Sequence, residues 1–388
     1  GRTATTAYDP STLAPVSVAV PGLDETTYAY DAQGRLTGTQ RNSREASFTY
    51  NTQGFLESIT GATGNTTWYD YDPVGRVTQV QRPDGGVVSF AYDGNGNMRV
   101  LTNPVSIDHG FSFNSVNKRT AYHTPLSGSY SYFYDKDRRL VQTDFPSGNR
   151  INNIYAQGRL VQIQTPEGNV DLTYVGGTRV GTVTKGSESI SYGYDGTLVI
   201  SETVAGTLNQ SMAYTHDNDF NIVDVTYAGG TEGYVYDGDG LLAAAGGFTI
   251  GRNVGNGLPE SVAGWVLSVN RTFNGYAEVE SQSLAVNSVS LTDWHLTRDD
   301  NGRIIQKTET VSGTTSNYFY AYDSAGRLLT VTKDGSLVEE YQYGLNGTRT
   351  YEMNVSRGIA GRTFEYSDED CLLTAGTATY DYDADGFL

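Results

Sequence analysis

Cysteine is almost missing. Cys371 stands alone, so the chain can close no internal disulfide. Histidine is nearly as scarce, and His109, His123, His216 and His295 show no ligand spacing to one another or to Cys371. The sequence also lacks a nucleophile elbow, a phosphate loop and a zinc pattern. It therefore offers no catalytic residue, no cofactor-binding residue and no metal ligand, and an enzyme is not expected. Charge is thin, at 18% of residues, and leans acidic, with a net charge of −18. Phosphate would be repelled, which excludes nucleic acid and an anionic membrane surface as partners. No apolar run approaches the roughly 20 residues of a membrane helix. The longest candidate, Leu241 to Ile250, is interrupted by Gly246 and Gly247, so no membrane insertion of this segment is expected. Helical periodicity is missing too: no stretch of three turns repeats its apolar positions at 3.6.

What fills the chain instead is Gly, Ser, Thr, Asn, Gln and 29 Tyr. A hydrophobic content of 37% is too low for a thick core, yet the tyrosines and a fixed period argue against disorder. A thin sheet, wetted on at least one face, satisfies both. The chain opens on Gly1-Arg2-Thr3 without a signal peptide and closes at Asp385-Gly386-Phe387-Leu388, where a strand should begin. Both ends look cut, as in a fragment of a longer protein.

The period belongs to a tyrosine-aspartate turn. It reads Tyr30-Asp31-Ala32-Gln33-Gly34-Arg35-Leu36, then Tyr71-Asp72-Pro73-Val74-Gly75-Arg76-Val77, then Tyr322-Asp323-Ser324-Ala325-Gly326-Arg327-Leu328. Degenerate copies start at Tyr50, Tyr92, Phe113, Tyr134, Ile154, Tyr174, Tyr194, Tyr214 and Tyr343, with a spacing of 21 residues from Tyr50 to Tyr134. Such a period makes residues 1–388 a single array of one small unit. Within the unit, Asp suits the first position of a type I turn, Pro the second and Gly the fourth. Gly34, Gly54, Gly75, Gly96, Gly158 and Gly326 take that last slot, where left-handed backbone is expected, while Arg138 and Thr178 replace it. A second turn follows about ten residues on, at Pro83-Asp84-Gly85, Pro146-Ser147-Gly148, Pro166-Glu167-Gly168 and Asp334-Gly335. Two turns per unit leave two strands of six or seven residues, a β-hairpin per repeat chained into an antiparallel meander. Val170, Leu172 and Tyr174 share one face of a strand, with Asp171 and Thr173 opposite.

The head tyrosines invite a reading as a sugar- or base-stacking ladder. The simpler one is that each ring packs on the equivalent ring of the next hairpin, its hydroxyl at the wet edge. Arg35, Arg76, Arg159 and Arg327 are close enough to cross their turns, so an ion pair with the turn Asp or stacking on a neighbouring Tyr is expected of them. The acidic turns at Asp93, Asp217 and Asp237 resemble calcium loops. An EF-type loop needs glutamate at its twelfth position, and counting from Asp93 and Asp237 gives Pro104 and Phe248. A longer rhythm matches Tyr236–Gly246 to Tyr366–Gly376 at an offset of 130 residues, a weak super-repeat of 236–365 against 366–388.

These residues resemble YD repeats, also called Rhs repeats, across nearly the whole chain. The resemblance implies an all-β fold, a spiralling antiparallel sheet of β-hairpin repeats that closes into a hollow shell. Similar regions occur in the cocoons of insecticidal toxin complexes, in bacterial Rhs toxins and in animal teneurins. In the toxins the shell encloses a carboxy-terminal toxic domain; in the teneurins it belongs to an adhesion ectodomain. Toxin members also carry a segment after the repeats whose aspartates cut the toxin free. Asp72-Pro73-Val74-Gly75 is only superficially similar to it, and no catalytic role is transferred. The resemblance implies a non-enzymatic structural shell of a secreted or surface bacterial protein, with an encapsulated carboxy-terminal cargo domain as partner. The alternatives are an adhesion or glycan-binding module, partnered by a cell-surface protein or glycan, and a calcium-dependent β-solenoid.

Overall fold

The computed structural model describes residues 1–126 and 128–388. It is a 37-stranded antiparallel sheet, running from the strand Thr5–Tyr8 to the strand Ala378–Thr379. Among the described residues its only helical element is the 3₁₀ turn Val355–Arg357. Asn354 caps that turn through its side chain and Gly358 ends it at φ 70°. Strands pair with their neighbours in the chain, as Phe48 with Ile59 and Val331 with Glu339. Two compact units divide the chain: residues 1–93, 98–108 and 248–381 form the first, and 94–97, 109–247 and 382–388 the second.

The expected turn geometry is present. Gly34, Gly75 and Gly326 have φ of 78°, 86° and 84°. Their N–H groups bond the carbonyls of Asp31, Asp72 and Asp323 at 3.0 Å. Each is a type I turn closed by a left-handed residue, and the ladder shifts register beside it, as between Ala29 and Tyr30. Arg138, at φ 63°, occupies the left-handed slot as a non-glycine. Four readings need correction. Gly158 is not the fourth residue of a type I turn: Ala156 pairs with Arg159, and Gln157 and Gly158 both have positive φ, which makes a two-residue turn. In the next repeat Gly176 and Gly177, not Thr178, take the left-handed slots. The shorter turn also moves the head position from Ile154 to Tyr155, which pairs with Leu160. Tyr214 lies two residues before its turn, where His216 pairs with Ile222 across the bulge.

The core is as thin as the composition implies. Val331, Tyr341 and Ala375 are the buried apolar residues among those described, against the polar Ser58, Asn103, Glu352, Asn354 and Asp385. Cohesion comes from the ladders and from cross-strand hydroxyl pairs, such as Thr49–Ser58 at 2.7 Å, Thr173–Thr182 at 2.7 Å and Thr310–Thr315 at 2.8 Å. Val170, Leu172 and Tyr174 are half-buried while Asp171 and Thr173 are exposed.

Candidate functional site

The repeated chemistry sits at the turns. In a four-residue turn, two N–H groups point inward without a ladder partner, and the leading Asp accepts both. Asp31 Oδ1 takes the N–H groups of Gln33 and Arg35 at 2.9 Å, leaving Oδ2 for the Arg35 guanidinium at 2.7 Å. That guanidinium then lies over the ring of Tyr50, 4.4 Å from its centroid. Asp72–Arg76 repeats the arrangement over Tyr92, and Asp323–Arg327 over Tyr343. The sequence reading did not single out the arginines of two further copies, Asp135–Arg139 over Tyr155 and Asp299–Arg303 over Tyr322. The Asp-to-Arg spacing of four was present in both, but the first has Arg138 in place of the turn Gly and the second has Arg298 in place of the Tyr, so each lacked one of the marks that made the others visible. Arg159 has no such carboxylate but still lies over Tyr174, at 5.7 Å.

Electrostatics follow this geometry. The backbone N–H of Arg35, in first place, holds Asp31 below the usual carboxylate range, although partial burial opposes it. Burial is the largest influence on Asp323 and pushes it up, but the N–H and guanidinium of Arg327 outweigh it and leave the group lowered.

Among the described residues no head tyrosine stacks on the equivalent ring of the next hairpin. Equivalent tyrosines lie two strands apart, about 9.5 Å, beyond aromatic contact, and the residue four after the turn's leader fills the gap, an arginine over Tyr50, Tyr92 and Tyr343 and Phe55 against Tyr71. Their hydroxyls are not left at the wet edge either. Tyr50 donates to the carbonyl of Leu36 at 2.7 Å, Tyr92 to Val77 at 2.8 Å, Tyr174 to Leu160 at 2.8 Å and Tyr236 to Ile222 at 2.9 Å. In each case the acceptor lies at the start of the return strand of the preceding repeat, its first residue at Leu36, Val77 and Ile222 and its second at Leu160. Arg298, which replaces the head tyrosine of its unit, reaches the equivalent carbonyl of Val279 at 3.1 Å.

A second set of contacts joins turns far apart in sequence. Within the first unit, the turn at 41–44 meets the turn at 274–278. Arg41 donates to the Gly275 carbonyl at 2.6 Å, and Arg44 forms a two-pronged pair with Glu278 at 2.9 Å while lying 3.6 Å from the Tyr276 centroid. Arg298 adds a contact to Glu278 at 3.4 Å. Next along, Thr63 meets Asn301 at 2.6 Å, Arg82 donates to the Leu345 carbonyl, and Asp84 pairs with Arg327 at 3.2 Å. Arg298 and Glu278 aside, the hydrogen-bonded and ion-paired partners are 234 to 263 residues apart. Hydrogen bonding by Arg44 is the main reason Glu278 titrates low, and Glu278 in turn raises Arg44. Within the second unit, buried Asp385 accepts from the Ser147 N–H at 2.7 Å and from its hydroxyl. In the first unit, fully buried Glu352 gathers Arg349, Arg357 and Arg362 at 3.6, 3.2 and 2.9 Å.

The residues weighed for chemistry stay scattered. His109 Nδ1 meets the Tyr122 hydroxyl at 2.8 Å, and His123 lies between Ser112 and Ser129. Cys371 holds the turn position taken by arginine elsewhere, its N–H on Ser367 Oγ. Among the described residues no three His, Cys, Asp or Glu side chains converge as a metal site. In the acidic turn at Asp217, Oδ1 accepts the N–H groups of Asp219 and Asn221, which is turn chemistry. Among the described residues no helix is long and apolar enough to cross a membrane.

A family model described as the teneurin YD-shell matches residues 5–388. Mouse teneurin-1 is 26% identical over 95% of the chain, and mouse teneurin-3 is 24% identical over 98%. The chain spans 14% and 15% of those proteins' lengths. Among solved structures, that of TcdB2-TccC3-TEV superposes with a TM-score of 0.73 at 13% identity, covering 99% of this chain and 26% of that one. The Photorhabdus luminescens Tc holotoxin pore gives 0.72 at 12% identity, covering 99% and 27%. These likenesses show the same fold.

Proposed function

Since the chain belongs to the teneurin YD-shell family, we propose that it is a wall segment of a secreted or cell-surface protein of bacterial type, a non-catalytic shell that encloses or presents a toxin-like cargo domain. The observation that carries this reading is the seam of the first unit, where Arg41, Arg44 and Arg327 tie turns to turns more than 230 residues away. Such ties make a continuous wall out of a sheet with almost no core. Two-component names such as TcdB2-TccC3 among the superposing structures fit a wall with a companion. The head-tyrosine rings at Tyr50, Tyr92, Tyr155, Tyr322 and Tyr343 each carry a guanidinium, which leaves one ring face fewer for sugar stacking and weighs against a glycan-binding ladder.

The test uses the full-length gene product under limited proteolysis. A cargo domain inside the wall resists cleavage in the native protein and is cut once Glu278→Ala and Arg44→Ala open the seam. A parallel scan places alanine at Tyr30, Tyr71, Tyr92, Tyr322, His109, His216, His295 and Cys371. Stability is expected to fall at the tyrosines, with activity lost only as the wall fails. A substitution that abolishes activity with melting unchanged points to a discrete site and replaces this reading.

A further inference from the structure

The second unit contains a place where the arginine module is incomplete. The turn at Asp217 has the module's geometry: its Oδ1 accepts two turn N–H groups at 2.9 Å. The ring that should receive a guanidinium, Tyr236, is held in register by its bond to the Ile222 carbonyl. The residue four after the aspartate is Asn221, not arginine. Its short amide reaches Asp217 Oδ2 at 3.1 Å and ends there. Among the described residues no cation lies over the Tyr236 ring, whereas the equivalent ring in each of the five complete modules has one 4.4 to 5.0 Å from its centroid. Where the longer side chain would run, a cavity of about 550 Å³ opens, lined by Asp217, Asp219, Asn221, Val223 and Tyr236 among others.

We propose that this cavity binds the arginine side chain of a partner polypeptide, with the guanidinium on Asp217 Oδ2 and over the Tyr236 face. The ligand chemistry is set by what the same carboxylate and ring hold elsewhere in the chain. A planar guanidinium satisfies both at once, bonding the carboxylate at its edge and stacking through its face, which a lysine ammonium does less well. A bare metal ion fits poorly, because Oδ1 is already committed to the turn and one wall is an aromatic face. Carboxylate attraction and cation–π contact act together only when the cation is drawn off water, and the cavity provides that partial cover. The net charge of −18 favours the approach of a basic segment.

The test uses the 388-residue chain, isotope-labelled, and N-acetyl-arginine methylamide as probe, with its neutral citrulline analogue as control. The arginine probe is expected to shift the Asn221 side-chain amide and Tyr236 ring signals saturably, with the citrulline analogue binding about fivefold more weakly. Asn221→Arg supplies the guanidinium from within; it should abolish the saturable shift and raise the melting temperature. Asp217→Asn keeps the Oδ1 acceptor, as Asn51 does in its own turn, and should weaken binding while the chain stays folded. Equal binding of the two probes, undiminished binding by Asn221→Arg, or no saturable shift in the native chain would each overturn the proposal.

Discussion

The repeats of residues 26–92 and those of residues 150–205 solve the same problem differently. The first group uses four-residue turns led by Asp31, Asn51 and Asp72, whose side chains accept the inward N–H groups. In the second, Ala156 pairs with Arg159, Thr165 with Gly168 and Asp195 with Leu198, leaving two residues per turn, and Val175 pairs with Arg179, leaving three. A two-residue turn closes within the ladder and leaves no inward N–H to satisfy, so the carboxylate becomes dispensable. What both groups keep is the tyrosine hydroxyl on the preceding repeat's carbonyl and a guanidinium over the ring, as at Tyr50 and Tyr174. The Tyr-Asp signature therefore joins two separable parts: tyrosine links repeats, and aspartate serves its own turn.

The largest effects should come from the shared part. Tyr50→Ala and Tyr174→Ala are each expected to cost about 2–4 kcal/mol, the range for a half-buried aromatic. Chemical denaturation of both variants checks this, and a cost confined to Tyr50 would break the equivalence. Next comes the turn glycine. At Gly75 a Cβ would sit 2.6 Å from Phe55 Cζ, on a φ of 86°, while at Gly34 it would meet nothing within 4 Å. Gly75→Ala should cost about 2–3 kcal/mol and Gly34→Ala about 1 kcal/mol, strain alone.

Glu278→Gln tests the seam, which only the first of the two groups carries, and should cost about 1–2 kcal/mol in thermal melts. Glu278 titrates below the ordinary glutamate value of 4.5 in the folded chain. Its contribution is therefore present above that value and lost as pH falls through the lower folded one. Acid should destabilise native protein more than Glu278→Gln in that window. Tyr50→Phe and Tyr174→Phe remove only the hydroxyl and should cost about 1 kcal/mol each; unequal losses would show that the two turn types load the bond differently. Smallest is Asp323→Asn, about 0.5 kcal/mol, because the amide oxygen keeps the turn N–H bonds, as Asn51 does in its own turn, and only the charge facing Arg327 is lost.

Much of this was legible in the sequence because it is local. The Asp-x-x-Gly turn, its left-handed glycine and the Asp–Arg pair all lie within five residues, so spacing alone exposes them at Asp31, Asp72 and Asp323. The tyrosine's partner was harder, because register decides it: the hydroxyl reaches back 14 or 15 residues, to the residue just after the arginine, which opens the adjacent strand. Arg298 shows the limit of reading by residue type, since it does a tyrosine's work without resembling one. The seam was invisible. Nothing in the sequence around Arg44 names Glu278, and the pair exists only because the sheet returns after 234 residues. Asn221 was visible as a residue, but its meaning depends on the five complete modules beside which it falls short.

The two ranges of contact also set a timetable for synthesis. A hydroxyl that reaches back 14 residues can bond almost as soon as its tyrosine leaves the ribosome. Arg44 must wait for another 234 residues to be made before Glu278 exists. At about 5–20 residues per second that is an interval of about 12–50 s. Throughout it the emerging sheet has two open edges, the first strand Thr5–Tyr8, which among the described residues pairs only with Pro15–Ala19, and the newest strand, the condition in which strands of separate chains most readily join. A newly made chain is therefore most exposed to crosswise assembly during the wait for its own second half, and slower translation would lengthen that wait.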